Sequence, residues 1–439
     1  MKAIVAGAGI GGLVAAAKLK KLGLEVTVLE RAKSLEEMRY DWHDDVNPDV
    51  FEQLGITMPS ESFKKKSWTF IAPVSSKARL FRQDEKKADY SVERRPLNKT
   101  LFDLCEGVEF KFDEFVTGAV VEDGFVSGIV SNGIEYRADF VIDSLGIDSP
   151  LRESLVKKFD LDSYNPDEAF MAYRAFYEKN DKFTAEYSNK VYLKYLGDKG
   201  IAWVIQDNDP RLVNVLIGRL EELKEETLKD YLNRIKKENP TVGEKIIRGG
   251  IVCKIPVRYP STMMVANGYA EIGDCAFMTI PMLGSGIASS MRAADLLAKT
   301  VENSMANFKE TKEIFGKKSL WNYQCAVYEK FGAEHCAVDV LKRGVMKLDN
   351  EIVDYILTSE LLTNDEVGRL ASGKPIKLSV KDMIKKVAIA GAGRIPSLLK
   401  VNNMLTKSNA AQKYAKKIPK KYDSKKVEAW RKKLKAFYV

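Results

Sequence analysis

Several things are scarce in this chain of 439 residues, and each scarcity narrows what it can do. No stretch of about 18 uncharged apolar residues occurs, which excludes a membrane-spanning helix. The first apolar run is broken by glycines and continues into a fold motif, so a secretory leader is not expected. The five cysteines (Cys105, Cys253, Cys275, Cys325 and Cys336) form no CxxC pair and no metal-ligand spacing. No metal site is therefore expected, and a reduced intracellular compartment fits best. Histidine is rarer still: His43 and His335 are the whole complement. What remains is 45% hydrophobic and 30% charged, the composition of a globular protein with a sizeable core. The length calls for two or three domains.

The net charge of +9 is unevenly placed. From Ile376 onward there are 18 Lys and Arg against three acidic residues, whereas residues 1–375 carry 52 basic and 58 acidic residues. Nucleic acid is not an expected partner, because no binding module accompanies the basic tail and the rest of the chain is acidic. A solvated helical surface is one reading of that tail. The other is an interfacial helix on anionic lipid through residues 376–439, since Met383, Ile384, Val387, Leu398, Leu399, Val401, Met404 and Leu405 interleave with lysines. A cytoplasmic location follows, with peripheral docking at the inner face of the membrane as the second reading.

The opening MKAIVAGAGIGG carries chemistry. Ala3 to Ala6 reads as a buried strand, Gly7 to Gly12 as a tight turn, and Leu13 to Leu22 as a helix whose free N–H groups face that turn, a site for a pyrophosphate. Gly7 permits the turn, Gly9 and the Ile10-Gly11 pair let phosphates approach the backbone, and Gly12 lets helix and strand pack closely. A second strand, Glu25 to Leu29, ends at Glu30, placed to accept from the ribose hydroxyls of an adenosine, with Arg31 beside it. The run VAIAGAG at 387–393 echoes this motif but is followed by Arg394-Ile395-Pro396 and no acidic cap, so it reads as a helix end and turn.

Farther along, residues 67–80 suggest paired strands and 90–104 a lead-in and helix. Strand-like runs follow at 108–112, 117–122, 124–131 and 135–142, separated by DG and NG dipeptides. An aromatic- and valine-rich antiparallel sheet is expected over 170–217 and a charged helix over 221–239. Two segments then repeat the theme of a strand ending in an acid. One is Asp143-Ser144-Leu145-Gly146-Ile147-Asp148-Ser149-Pro150-Leu151-Arg152. The other is Gly273-Asp274-Cys275-Ala276, followed by Pro281-Met282-Leu283-Gly284-Ser285-Gly286-Ile287 and an Ala-rich helix. A Gly-Asp strand end can face a polyol such as a ribityl chain, and N–H groups at a helix start can hold a flavin's pyrimidine edge.

Together, these three elements over residues 1–305 resemble the flavoprotein superfamily of aromatic hydroxylases and geranylgeranyl reductases. The resemblance implies FAD, held by Gly7–Gly12, Glu30, Asp143, Gly146, Gly273, Asp274, Pro281 and Gly284–Ile287. It also implies an arginine before a helix near the cofactor, Arg94 or its neighbour Arg95. The implied fold is α/β: a Rossmann-like FAD-binding domain of the aromatic hydroxylase type (1–65, 90–160 and 251–305), an inserted antiparallel β-sheet substrate domain (66–89 and 161–250), and a C-terminal helical region with a basic tail (306–439).

The strand Gly200-Ile201-Ala202-Trp203 resembles the glycine-x-aromatic strand of the geranylgeranyl reductase branch, which lines a channel for a polyprenyl chain. The branch's Cys-Gly pair is replaced here by Tyr40-Asp41-Trp42-His43-Asp44-Asp45. Trp42, His43 and Trp203 are the candidate catalytic residues: His43 as a proton donor or a plain loop histidine, Trp203 with Tyr173, Phe176, Tyr192 and Tyr195 as a channel wall or plain core. Cys275 is expected under the flavin, and His335 in a helix. The activity implied is reduction of C=C bonds in an isoprenoid or other apolar lipid, with NAD(P)H or ferredoxin as electron donor. The alternatives are a flavin monooxygenase acting on an aromatic compound and a flavin-carrying membrane-docking protein without turnover.

Overall fold

The computed structural model describes residues 1–38, 42–65, 67–82, 88–206, 208–359, 361–371, 374–376, 386 and 395–438. Tyr40, Asp41, Met383, Ile384 and the 387–393 run lie outside these residues, as does the side chain of His43.

A short alternation of buried Val, Ile and Ala makes the strand Lys2–Ala6, which is the centre of a six-stranded sheet. It pairs in parallel with Glu25–Leu29 on one side and Phe140–Asp143 on the other. The sheet continues to Tyr269–Glu271 and Val265–Ala266 at one edge and to Glu109–Lys111 at the other. Strands this apolar must be covered on both faces. The helices Ile10–Lys21 and Ile287–Asn307 cover one face, packed against each other through alanines and glycines. The three-stranded ribbon of Val116–Glu122, Phe125–Ser131 and Ile134–Arg137 stands on the other side. The expected strand at 135–142 is thus two strands in two different sheets, because a turn at Ala138-Asp139 carries the chain from one to the next.

The second body is a seven-stranded sheet in the order Val242–Pro256, Ala169–Lys179, Leu212–Arg219, Gly200–Gln206, Asn189–Leu193, Ser67–Ile71 and Ala78–Arg82. Strand Val242–Pro256 pairs with Ala169–Lys179 along most of its length. The boundary expected at residue 251 therefore falls inside a strand, and the return to the nucleotide sheet comes after Pro256. The helix Glu225–Glu238 covers one face of this sheet. Segment 42–46, read from sequence as loop, is a strand, His43–Val46, that pairs with Tyr90–Glu93 and bridges the two bodies.

The C-terminal helices close the molecule. Helix Ile395–Ala415 lies along Ala333–Lys347, with Ser408 Oγ donating to the Ala337 carbonyl at 2.7 Å. Leu398 and Leu405 are buried, and Val401 and Met404 pack in the same cluster as Leu341 and Met282. Of the large apolar residues described in that helix, Leu399 and Ile395 at its first turn face outward, at 55% and 38% exposure. The apolar pattern that resembled an interfacial helix is a core face: spacing cannot distinguish a lipid surface from a neighbouring helix. The last helix, Ser424–Lys435, buries Val427, Trp430 and Leu434 and ion-pairs Arg431 and Lys435 with Asp162.

Candidate active site

The glycine turn is built to the limit of packing. Gly7 has φ +93°, and its amide donates to the Leu29 carbonyl at 2.8 Å. A Cβ at Gly12 would lie 2.3 Å from the Gly7 carbonyl oxygen, and one at Gly11 2.5 Å from Ile272 Cγ2. Gly9 and Ile10 open the helix without a side-chain cap, so the first-turn N–H groups are left for an anion. Glu30 ends the second strand, and its oxygens accept from the Ala8 and Ala32 amides at 2.9 and 3.0 Å. A carboxylate accepts about four hydrogen bonds, which leaves room for two ribose hydroxyls. Arg31 is exposed beside it. Asn98 joins this turn, with Nδ2 donating to the Ala8 carbonyl at 3.4 Å and a buried Oδ1 that has no partner among the described residues. Sequence reasoning missed Asn98; its one signal was its position four residues beyond Arg94.

The second and third motifs divide their labour differently than expected. Asp143 is fully buried, accepting from the Leu145 amide (3.1 Å), Ser149 Oγ (2.5 Å) and Tyr269 OH (2.9 Å). These bonds hold the 144–149 loop, with the Asp143 side chain wholly inside the protein. Arg152 completes that brace, donating to the carbonyls of Cys275 (2.8 Å) and Ile147 (2.6 Å), so the two motif loops are tied together. Cys275 is sealed in the same core. Gly146 has φ +88° and open space where a Cβ would be.

At the third motif Gly273 (φ +74°) turns the chain so that Asp274 is half-buried and accepts from Thr279 Oγ1 at 2.7 Å. Burial raises the Asp274 carboxyl above its ordinary range, against the pull of Thr279 and Arg94. Pro281, Gly284 and Gly286 shape the turn that follows. A Cβ at Gly286 would meet Thr279 Oγ1 at 3.0 Å and Asp274 Oδ1 at 3.3 Å. Helix Ile287–Asn307 then starts with no side-chain cap. Of the arginine pair, Arg94 is the inward one: Nη2 donates to Asp44 Oδ2 at 3.2 Å, while its Nε is buried with no partner among the described residues. Arg95 is exposed on the outer face of the helix Arg94–Asp103. Two uncapped helix starts, glycines that no Cβ could replace and an unused buried N–H donor on Arg94 fit an extended FAD. When bound, FAD supplies two-electron and hydride chemistry that no side chain here provides.

Side-chain alternation sorts the aromatics. Tyr173, Tyr192 and Tyr195 point to the helix side of the large sheet and are core with Tyr231, so they wall no channel. Trp203, Phe176 and Arg174 lie on the other face, which meets the nucleotide domain. There Trp42 and Trp203 cluster with Ala172, Leu216 and Cys253. The Arg174 guanidinium stands 4.9 Å from the Trp42 ring and 5.3 Å from the Trp203 ring, and its Nε donates to Asn214 Oδ1 at 3.0 Å. Arg174 and Asn214 are both almost wholly buried, and sequence reasoning did not find them. His43 is placed only by its backbone, opposite Glu93. Burial pushes the Cys253 thiol up to about 11. His335 is interior, and burial, with Arg292 nearby, pushes its pKa down to about 3. Among the described residues no group of His, Cys, Asp and Glu has metal-binding geometry.

Residues 5–37 match the NAD(P)-binding Rossmann-like domain family. The chain is 24% identical over 418 residues to digeranylgeranylglycerophospholipid reductase of Sulfolobus acidocaldarius, covering 90% of this chain and 88% of that one. The enzyme of the same name from Thermoplasma volcanium is 25% identical over 401 residues, covering 83% and 93%. A solved geranylgeranyl bacteriochlorophyll reductase-like protein from Thermoplasma acidophilum superposes with TM-score 0.73 at 19% identity, covering 92% of this chain and 98% of that one. The FAD-dependent myxobacterial chondrochloren halogenase superposes at 0.61 and 18% identity, covering 93% and 97%. Over most of its length the chain is therefore similar to digeranylgeranylglycerophospholipid reductases, and it shares its fold with a geranylgeranyl reductase-like protein and an FAD-dependent halogenase.

Proposed function

We propose that the protein reduces carbon–carbon double bonds of an isoprenoid lipid, with hydride supplied by reduced FAD and the two electrons that restore it by an external donor, one NAD(P)H or two equivalents of reduced ferredoxin. The observation that carries this reading is one row of side chains across the large sheet. Strand registers align Ile251, Arg174, Leu216, Trp203, Val191, Phe70 and Arg79 on one face, which packs on Trp42 at its middle and meets the Leu357 and Ser359 carbonyls at its Arg79 end. Six interstrand steps of about 4.8 Å give the row a length of about 29 Å. Apart from the arginines at position 174 and at the far end, it is apolar, as a long hydrocarbon chain requires. A cavity of about 450 Å³ lies at the Arg79 end, bordered by Leu357, Ser359 and Thr363. A compact pocket for a small aromatic compound would have no use for a row this long. The lipid for which the relatives are named, a digeranylgeranylglycerophospholipid, has the matching chemistry.

In this reading Gly7–Gly12, Glu30 and Asn98 hold the adenosine and pyrophosphate. Arg94, Asp274 and the start of helix Ile287–Asn307 hold the flavin end, and Trp42 and Trp203 orient the alkene and exclude water. Incubating the holoprotein anaerobically with a reductant and digeranylgeranylglycerophospholipid tests it. Products heavier by two hydrogens per saturated double bond are expected. Product that appears only with O₂ and carries an added oxygen would establish the monooxygenase reading, and bound FAD with no consumption of reductant the non-catalytic one.

A further inference from the structure

One buried ion pair at the junction of the two bodies has no part in holding FAD in the reading above. Lys65 follows the short strand Phe63–Lys64, and its side chain is 3% accessible. Its Nζ lies 2.7 Å from Asp45 Oδ1 and 4.3 Å from the centroid of the Trp68 ring. Trp68 shares the face of Phe70 and Trp203, because the strands of the large sheet are paired in register. Asp45 sits on strand His43–Val46, and its carbonyl accepts from Ser285 Oγ at 3.1 Å. Ser285 lies between Gly284 and Gly286, in the turn that leads into helix Ile287–Asn307. The pair therefore stands where that turn, the bridging strand and the face of the hydrocarbon row meet.

We propose that Lys65, backed by Asp45, is the acid that supplies the proton in double-bond reduction; this rests on the reductase reading. One alkene carbon takes hydride from the reduced cofactor, and the cofactor is re-reduced by two electrons from the external donor. The π pair forms a C–H bond at the other carbon with the ammonium proton, and the neutral amine regains a proton from solvent by way of Asp45. Burial disfavours the charged forms of both groups, lowering Lys65 and raising Asp45, and each opposes that trend in the other. A cation made a stronger acid by burial is suited to give up its proton. The other charged groups facing the pair are Asp44 and Arg174, with Asp89 beside Asp45 and Lys374 beyond it. A purely structural ion pair would fasten residue 65 to the bridging strand and leave the pH behaviour of the flavin unchanged.

The test uses full-length holoprotein, wild type against Lys65→Met and Asp45→Asn, with FAD content and visible spectrum checked first. In single turnover with digeranylgeranylglycerophospholipid micelles, Lys65→Met is expected to slow reoxidation of reduced flavin about 100-fold and to remove the alkaline fall in rate. Without substrate, the flavin midpoint potential against pH should show a break in the wild type that Lys65→Met lacks. Asp45→Asn should move that break to lower pH, because the ammonium loses its counter-charge, and this reading stands in where Lys65→Met does not retain FAD. If lipid reoxidises wild type and Lys65→Met alike with one pH profile, the proton role is wrong and the reductase reading survives. A Lys65-dependent break in a wild type that no isoprenoid reoxidises supports the acid and defeats the substrate. Superimposable potential profiles in all three proteins overturn the proposal.

Discussion

Gly12→Ala perturbs the cofactor turn at its tightest point. The added methyl would lie 2.3 Å from the Gly7 carbonyl oxygen, 3.0 Å from Ser144 Oγ and 3.2 Å from Ser144 Cβ. Ser144 can rotate its hydroxyl away, but the Gly7 carbonyl is backbone, and its residue is pinned by the 2.8 Å bond to Leu29. Helix and turn must separate. Overpacking of this kind costs about 1–3 kcal/mol, and the helix propensity of Ala over Gly offsets about 1 kcal/mol of it. The apoprotein should therefore lose only about 1 kcal/mol. FAD should lose more, because the N–H groups that meet its pyrophosphate move with the helix. Bonds to a charged group are worth about 1.5–3 kcal/mol each, so losing the equivalent of one weakens FAD roughly 100-fold. Gly23→Ala is the control: φ is +86° with nothing within 4 Å, so it carries backbone strain of about 1–2 kcal/mol and no consequence for the cofactor. FAD titration by flavin fluorescence, with thermal melts of the apoproteins, separates the two. Wild-type affinity in Gly12→Ala, or an equal loss in Gly23→Ala, would refute the reasoning.

Arg94→Ala should weaken FAD about tenfold or more by removing a charged donor, whereas Arg95→Ala should leave the titration unchanged. Asp162→Asn should cost about 3 kcal/mol in a thermal melt, since it removes the buried carboxylate shared by Arg431 and Lys435 and leaves Arg431 only the exposed Asp160. Burial alone would raise Asp162, but Lys435, Arg431 and Arg258 hold its carboxyl well below the ordinary range. A depressed folded pKa contributes stability above the unfolded value of about 4 and loses it as pH falls through the folded value. The gap between wild type and Asp162→Asn should therefore be constant near neutrality and narrow below about pH 4; a constant gap down to pH 2 would contradict the assignment. Trp203→Leu should impair turnover of a polyprenyl lipid while leaving FAD binding intact, and Tyr192→Phe, behind the sheet, should do neither.

The cofactor half of the site was legible because its chemistry is local. Gly7 to Gly12, Glu30, and Gly273 to Ile287 each need particular residues a few positions apart, and the structure packs Gly11 against Ile272 and Ser290. Asp143 looked the same on paper, but the three donors that surround it come from Leu145, Ser149 and Tyr269, and only the fold brings Tyr269 there. The substrate half was less legible for the same reason. Arg174 and Asn214 are single residues in separate strands, and Lys65 meets Asp45 only after two short strands have paired around Tyr90–Glu93. Their partnership depends on register, which a lone sequence does not display. The alternation of Tyr173 against Arg174 was readable, but which face met the nucleotide domain was not. The tail misled because Leu398, Val401 and Leu405 repeat at helical spacing whether a bilayer or helix Ala333–Lys347 covers them.

The most direct test of the central claim is an anaerobic single turnover. Protein-bound FAD is reduced, mixed with digeranylgeranylglycerophospholipid, and followed by the return of the oxidised flavin spectrum alongside the mass of the lipid. The account predicts one flavin reoxidised for each double bond saturated, without oxygen. Flavin that stays reduced until air is admitted, with the lipid unchanged in mass, would contradict it.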